Sequence, residues 1–190
     1  MPNWCNNSIT IKGSTETIKT LWEEANQEGE AGGLLNAMVP MPVELRDTTK
    51  GSNGDAVNWY DWCVSNWGTK WDVSLEGLEF TDNGDGTAEI SGWFDSAWSP
   101  PVDAFQTLSQ DLDSCYLELS YFEPGMAFVG YWDSEGADDH YTIDPEAEDM
   151  GIPAYLEEEW CVSDWFRTDE DDEEVVFEDV DQDTLDKEFG

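Results

Sequence analysis

Four of the eleven tryptophans fall between Trp59 and Trp71, and each such ring can bury about 150–250 Å². Flat aromatic faces can also stack a base or another planar ligand, as the sheet aromatics of RNA-recognition domains do. Trp67, Trp71, Trp93 and Trp98 are the rings that would line such a pocket. The ordinary use of large aromatics is core filler, and the same four rings fit that role too. Direct binding of nucleic acid is disfavoured. Neutralising phosphates takes Lys and Arg, and the chain has 7 of these against 45 Asp and Glu.

The carboxylates are the second chemical resource. Formal net charge is −38, and it is unevenly spread: residues 1–133 hold 22 acids and 5 bases, residues 134–190 hold 23 and 2. A halophilic origin would acidify the whole surface, whereas here the charge concentrates in the last third. Such a surface repels nucleic acid and anionic membrane and attracts basic protein patches. Duplex DNA carries one negative charge per about 1.7 Å of axis, and a dense carboxylate face can compete for proteins built to hold phosphates. The candidate partner-binding residues are Glu157, Glu158 and Glu159, with the run Asp169, Glu170, Asp171, Asp172, Glu173 and Glu174. The partner they suit is a nucleic-acid-handling protein. Solubility alone is the competing use of the charge.

Catalytic signatures are missing from the sequence. It has no G-x-S-x-G, no Walker loop and only Gly84 and Gly86 of a dinucleotide fingerprint. Asp138-Asp139-His140 holds the only histidine, and a lone imidazole beside two acids is a solvated cluster more often than a metal site. Asn83-Gly84-Asp85-Gly86 resembles a calcium loop. With Gly86 at position six, however, positions one and twelve fall on Thr81 and Gly92, neither a carboxylate. A hairpin turn is the better reading. Cys5, Cys63, Cys115 and Cys161 form no CxxC pair, so buried free thiols are expected. No metal or cofactor is expected. With neither a secretory leader pattern nor an apolar run near eighteen residues, a cytoplasmic protein without a membrane partner is expected.

The elements that must position these residues follow from periodicity. Trp4 to Ile11 reads as a first strand, closed by Gly13, and Ser14 or Thr15 caps a helix to about Gln27 with Ile18, Leu21, Trp22 and Ala25 buried. Residues 28–54 are a long Gly- and Pro-punctuated connection. A helix over 55–67, capped by Asp55 and ended by Gly68, places Val57, Tyr60, Val64 and Trp67 on one stripe. Alternation over Trp71–Leu75 starts a hairpin, Trp71–Phe80 and Thr87–Phe94. A helix follows Pro100-Pro101 with Val102, Phe105, Leu108 and Leu112 on its stripe, then strands over 115–122 and 126–132. The order β-α-(α)-β-β-α-β-β is an α+β fold, a ferredoxin-like split βαβ sandwich with an inserted helix and an extra strand.

Residues 1–133 form that domain. Met1–Asn7, Leu35–Pro42, Tyr60–Asp72, Phe94–Pro101 and Tyr121–Met126 come in the order of the motifs of the YubB-like ferredoxin-fold family, which this stretch resembles. The resemblance implies the same fold and a phage, prophage or plasmid origin, and brings no catalytic residues. Residues 134–190 form an acidic helical and strand extension: a linker over Asp133–Asp149, a helix over Ile152–Phe166, the acidic run, and a strand at Val175-Val176-Phe177. Trp160-Cys161-Val162-Ser163-Asp164-Trp165 echoes Trp62-Cys63-Val64-Ser65-Asn66-Trp67. The echo predicts that the second helix docks as the first does, on the domain or on a partner subunit in a homo-oligomer. The functional expectation is a non-enzymatic accessory protein whose nucleic-acid-mimicking acidic surface binds a host nucleic-acid-handling protein. The alternative is a module that sequesters a small molecule or nucleotide in an aromatic pocket.

Overall fold

Strict alternation along the N-terminal strand sets the architecture. β1 (Trp4–Ser14) turns Cys5, Asn7, Ile9 and Ile11 to one face, and all are buried. The computed structural model describes residues 2–29, 32–49, 57–112, 114–147 and 149–166. The Ser14 hydroxyl accepts from the Thr17 N–H at 3.1 Å and opens α1 (Thr15–Ala25), whose Ile18, Leu21 and Ala25 cover the β1 face. The connection that follows contains α2 (Leu34–Met38), a single helical turn at Val43–Leu45, and then α3 (Trp59–Asn66). β2 (Leu78–Asp82) and β3 (Thr87–Ala97) form a hairpin around Asn83–Gly86, and α4 (Val102–Asp111) buries Ala104, Phe105 and Leu108 beside α2 and α3. β4 (Tyr116–Glu123), β5 (Phe128–Asp133) and β6 (Asp138–Thr142) complete an antiparallel sheet of order β2-β3-β1-β4-β5-β6.

The ferredoxin-like sandwich is therefore present. β1 lies between β3 and β4, and α1 and α4 cover one face. Each fully buried Ile or Leu in that layer, such as Ile9, Ile11, Leu117 and Leu119, contributes about 1.5–3 kcal/mol of transfer free energy. The opposite face is half covered. α5 (Ala154–Trp160) and α6 (Val162–Phe166) lay Leu156, Trp160 and Val162 over Phe122 and Val129, with Ile143 completing a second, smaller core. Trp93 on the same face meets Trp160 at the edge of that cover, with Asn6 and Ser8 beside it half-buried among the described residues.

Several local expectations are corrected. Trp71–Leu75 is not a strand, and β2 begins only at Leu78. The Asp72 carboxylate draws this segment into a loop by accepting backbone N–H groups from Leu35, Asn36 and Val73. α3 begins at Trp59 with Asn58 as its cap, while Asp55 lies outside the described residues. Of the expected stripe Trp67 is buried, together with Cys63, whereas Val57 precedes the helix and Val57 and Val64 are exposed at 62% and 41%. The expected linker over Asp133–Asp149 contains β6, because the sheet-edge N–H and C=O groups of β5 recruit a polar strand. The single helix over 152–166 is two, broken where Cys161 adopts φ 49°. The echo consequently presents opposite residues in its two copies. Cys63 is buried and Val64 exposed in the first, whereas Cys161 is exposed and Val162 buried in the second. Cys161 also departs from the buried-thiol expectation, and Cys115 is half-buried. The expected strand at 175–177 lies outside the described residues.

Candidate functional site

The densest aromatic stretch of the sequence builds one wall of a cleft. Asn58 Oδ1 accepts from the N–H groups of Tyr60 and Asp61, both at 3.1 Å, which fixes the start of α3. Thr48 Oγ1 accepts from the Trp59 N–H at 2.9 Å and ties the preceding connection to that start. At the other end Trp67 closes the helix and Gly68, at φ 83°, reverses the chain. Thr69 Oγ1 then donates to Ala97 O at 2.9 Å and accepts from Ala97 N–H at 3.1 Å. That clamp pins Lys70 and Trp71 beside the end of β3.

The opposite wall comes from the connection after α1. Asp72 Oδ1 accepts from Leu35 N–H at 2.9 Å and Val73 N–H at 2.8 Å, and Oδ2 accepts from Asn36 N–H at 2.8 Å. Asn36 Oδ1 in turn accepts from Met41 N–H, and Trp67 Nε1 donates to Val39 O at 2.9 Å. Gly33 sits so close to Asp72 that a Cβ there would collide with Oδ2, and its φ of 112° favours glycine independently. Between the walls lies a cavity of about 320 Å³, lined by Trp59, Trp67, Trp71, Arg46, Lys70 and Asp72 among others.

Two of the chain's seven bases, Arg46 and Lys70, line the cleft together with Asp72. Lys70 Nζ stands 4.1 Å from the Trp71 ring centroid, 5.2 Å from that of Trp98 and 5.7 Å from that of Tyr60. Lys12 and Lys19 pair instead with Glu89 and Glu23 on the surface. Burial pushes the Asp72 carboxyl up from its ordinary range, against the three N–H groups that pull it down. Burial, helped by the charge of Asp72, raises the Cys63 thiol to about 11, so Cys63 is a neutral, soft contact 4.0 Å from Met41 Sδ. Such a cleft can hold a planar molecule by stacking and fix a polar end. Among the described residues that line it, no nucleophile is paired with a base.

Of the four tryptophans expected in a pocket, Trp67 and Trp71 meet in this cleft and Trp98 reaches it through Lys70. Trp98 is held at φ 69° with its N–H donated to Asn3 O at 2.9 Å, a conformation that is uncommon for a bulky side chain. Trp4 packs on Trp71 at 6.3 Å and widens the exposed aromatic rim. Trp93 does not join them: β3 turns it to the far face, where it is 53% exposed and meets Trp160 edge-on at 5.4 Å. Trp59, Arg46, Lys70 and Asp72 were missed by the sequence reading. Lys70 had a signal, being a base set between Trp67 and Trp71 in a chain with few bases.

The acidic candidates separate as well. Glu157 accepts from the Ser163 N–H with both oxygens, at 3.1 and 3.2 Å, and so caps α6. Glu159 accepts from the Ser120 hydroxyl at 2.6 Å and thereby fixes α5 to β4. Glu158 is exposed, and Asp169, Glu170, Asp171, Asp172, Glu173 and Glu174 lie outside the described residues. His140 stacks against Phe128 and Tyr121, with Nδ1 3.2 Å from the Tyr121 hydroxyl. Among the described residues no three His, Cys, Asp or Glu side chains converge as a metal site. No helix among them is long and apolar enough to cross a membrane.

The sheet order and the helices on one face define the class: a ferredoxin-like α+β sandwich with an aromatic cleft beside the helical layer. Within that class the chain belongs to the family described as the ferredoxin-like domain in Api92-like proteins, whose family model matches residues 66–181. The match runs across position 133. A crystal structure of a protein api92 from Yersinia pseudotuberculosis aligns at 17% identity and TM-score 0.42, over 58% of this chain and 39% of that one. The aligned part is thus under half of that protein's length. No curated protein matches the chain in sequence.

Proposed function

We propose that this domain is a binding module for a small planar molecule, held in the cleft between Trp59, Trp67 and Trp71. One observation carries the reading. In a chain of net charge −38, Arg46 and Lys70 line the same cavity as those three rings. Convergent polar groups in an aromatic concavity of this size are the usual make-up of a ligand site. No turnover is assigned to it. The test is tryptophan-fluorescence quenching together with thermal shift, over a panel of nucleotides and cyclic nucleotide signals. A true ligand at about a hundred times its Kd stabilises the folded protein by about 2.7 kcal/mol, and Trp71→Ala should lose that shift. A panel with no quenching and no shift would count against the module.

A second reading rests on the charge distribution. From Trp71 to Phe166 the chain has no Lys or Arg, so β2, β6 and α5 present carboxylates without a basic neighbour in sequence. A basic, phosphate-handling protein of a host is the partner that such a face suits. Because Glu157 and Glu159 are engaged within the fold, Glu158 and the 169–174 run would carry the contact. Reversing Glu158, Asp169, Asp171 and Glu173 to lysine with no change in partner capture or its salt dependence would end this reading. Phage or plasmid origin and a cytoplasmic setting are parts of the same proposal.

A further inference from the structure

The cleft's own charges and dimensions narrow what it can hold. We infer that its ligand is a single planar ring system carrying one anionic group, a carboxylate or a phosphate, and that a cation of the same shape is rejected. The inference rests on reading the cleft as a ligand site and adds the sign and size of the occupant.

Size comes first. A cavity of about 320 Å³ lies at the small end of ligand pockets, which run from about 300 to 1,000 Å³. It accommodates one fused ring with a short substituent, whereas a dinucleotide is too long. Sign follows from Lys70. Tryptophan clusters often serve as cages for organic cations, because the ring faces are electron-rich. Here a resident ammonium already stands over Trp71, Trp98 and Tyr60. A cationic ligand brought to those faces would be repelled by this ammonium, whereas an anionic group would be attracted to it. Among the described residues that line the cavity, the carboxylate that could favour a cation is Asp72. Its oxygens already accept three backbone N–H groups, so they are engaged within the fold.

The rest of the chain opposes this local preference. At net charge −38 the long-range field attracts cations and repels anions, but it acts over distances comparable with the Debye length, about 10 Å at 0.1 M salt. The contacts inside the cleft are shorter. Added salt therefore removes the background faster than the local preference, and discrimination in favour of the anion grows with ionic strength.

The test uses naphthylacetate, naphthylethanol and naphthylethylamine, which share a ring and differ in charge, titrated calorimetrically against the whole chain at low and moderate salt. One charge reversal a few ångströms from Lys70 is worth about tenfold in affinity. The acetate should therefore bind about tenfold tighter than the amine, with the alcohol between them and the gap widening with salt. Lys70→Met, which keeps the apolar stem over Trp71, should bring the three together, and Lys70→Arg should restore the order. If these variants do not fold, the wild-type rank and its salt trend decide alone. Equal affinities, or preference for the amine, overturn the anion inference and leave the planar-ligand reading standing. Absence of binding by all three overturns both.

Discussion

Replacing Trp160 by alanine should detach α5 and α6 from the sheet while leaving the main core folded. The ring is 9% exposed, meets Trp93 edge-on at 5.4 Å and Phe122 at 6.3 Å, and donates Nε1–H to Ser120 Oγ at 2.8 Å. Truncating a buried aromatic of this kind costs about 3–5 kcal/mol. The lower end applies here, because the Ser120 hydroxyl keeps its bond to Glu159 and no buried group is stranded. The second core is small, comprising Phe122, Val129, Ile143, Leu156, Trp160 and Val162. A loss of about 3 kcal/mol is therefore a large part of what holds the two helices down. The first core lies on the other sheet face and contains no residue of α5 or α6. Hydrogen exchange read by mass spectrometry separates the two. Protection over 154–166 should collapse in Trp160→Ala while β1 and β4 keep wild-type protection. Ser120→Ala, which strands the indole N–H, should weaken the same segment by about 1–3 kcal/mol. Wild-type protection of 154–166 in Trp160→Ala, or equal loss across β1 and β4, would refute the separation of the cores.

Two further outcomes follow from the cleft and the thiols. Gly33→Ala places a methyl against the Asp72 carboxylate at a positive φ, and should cost more than about 1 kcal/mol in a urea melt and abolish ligand-induced shifts, since the clamp on Leu35 and Asn36 must give way. Iodoacetamide at neutral pH should label Cys161 first, as the exposed thiol, with Cys63 among the last. The Cys63 thiol is raised to about 11, so at pH 7.5 roughly one in three thousand is thiolate. Its labelling by mass spectrometry should quicken about tenfold per pH unit until that value. Fast labelling of Cys63 near neutrality would contradict both the burial and the sign of the shift.

Much of the fold was legible because its signals are local. Alternation in β1, a cap at Ser14 or Thr15 that falls to Ser14, the Asn83–Gly86 turn, and Phe105 and Leu108 on the α4 stripe each depend on neighbours within a few residues. The misreadings come from partners distant in sequence. Trp71, Val73 and Leu75 alternate like a strand, but the Asp72 bonds to Leu35 and Asn36 span 37 and 36 residues and decide the conformation. β6 has the composition of a turn, and only the open edge of β5 makes it a strand. The cleft was half legible for the same reason. Ring density pointed to Trp67 and Trp71, yet Arg46 arrives from a connection with no periodicity. Trp93 was misassigned because strand parity, rather than ring type, decides which face a residue serves.

The two outermost strands have an implication for how the protein behaves in bulk. β2 ends the sheet with Glu79 and Asp82, and β6 ends the other side with Asp138 and Asp139. Among the described residues neither edge is paired with a further strand, and carboxylate repulsion keeps such edges of separate molecules apart. That barrier lasts only while the acids are ionised. Near the isoelectric point of about 4.1 it fades, and the unsatisfied amides and carbonyls of each rim become mutually adhesive. Colloidal stability is thus vested in protonation state, and acidification would convert separate particles into strand-to-strand chains.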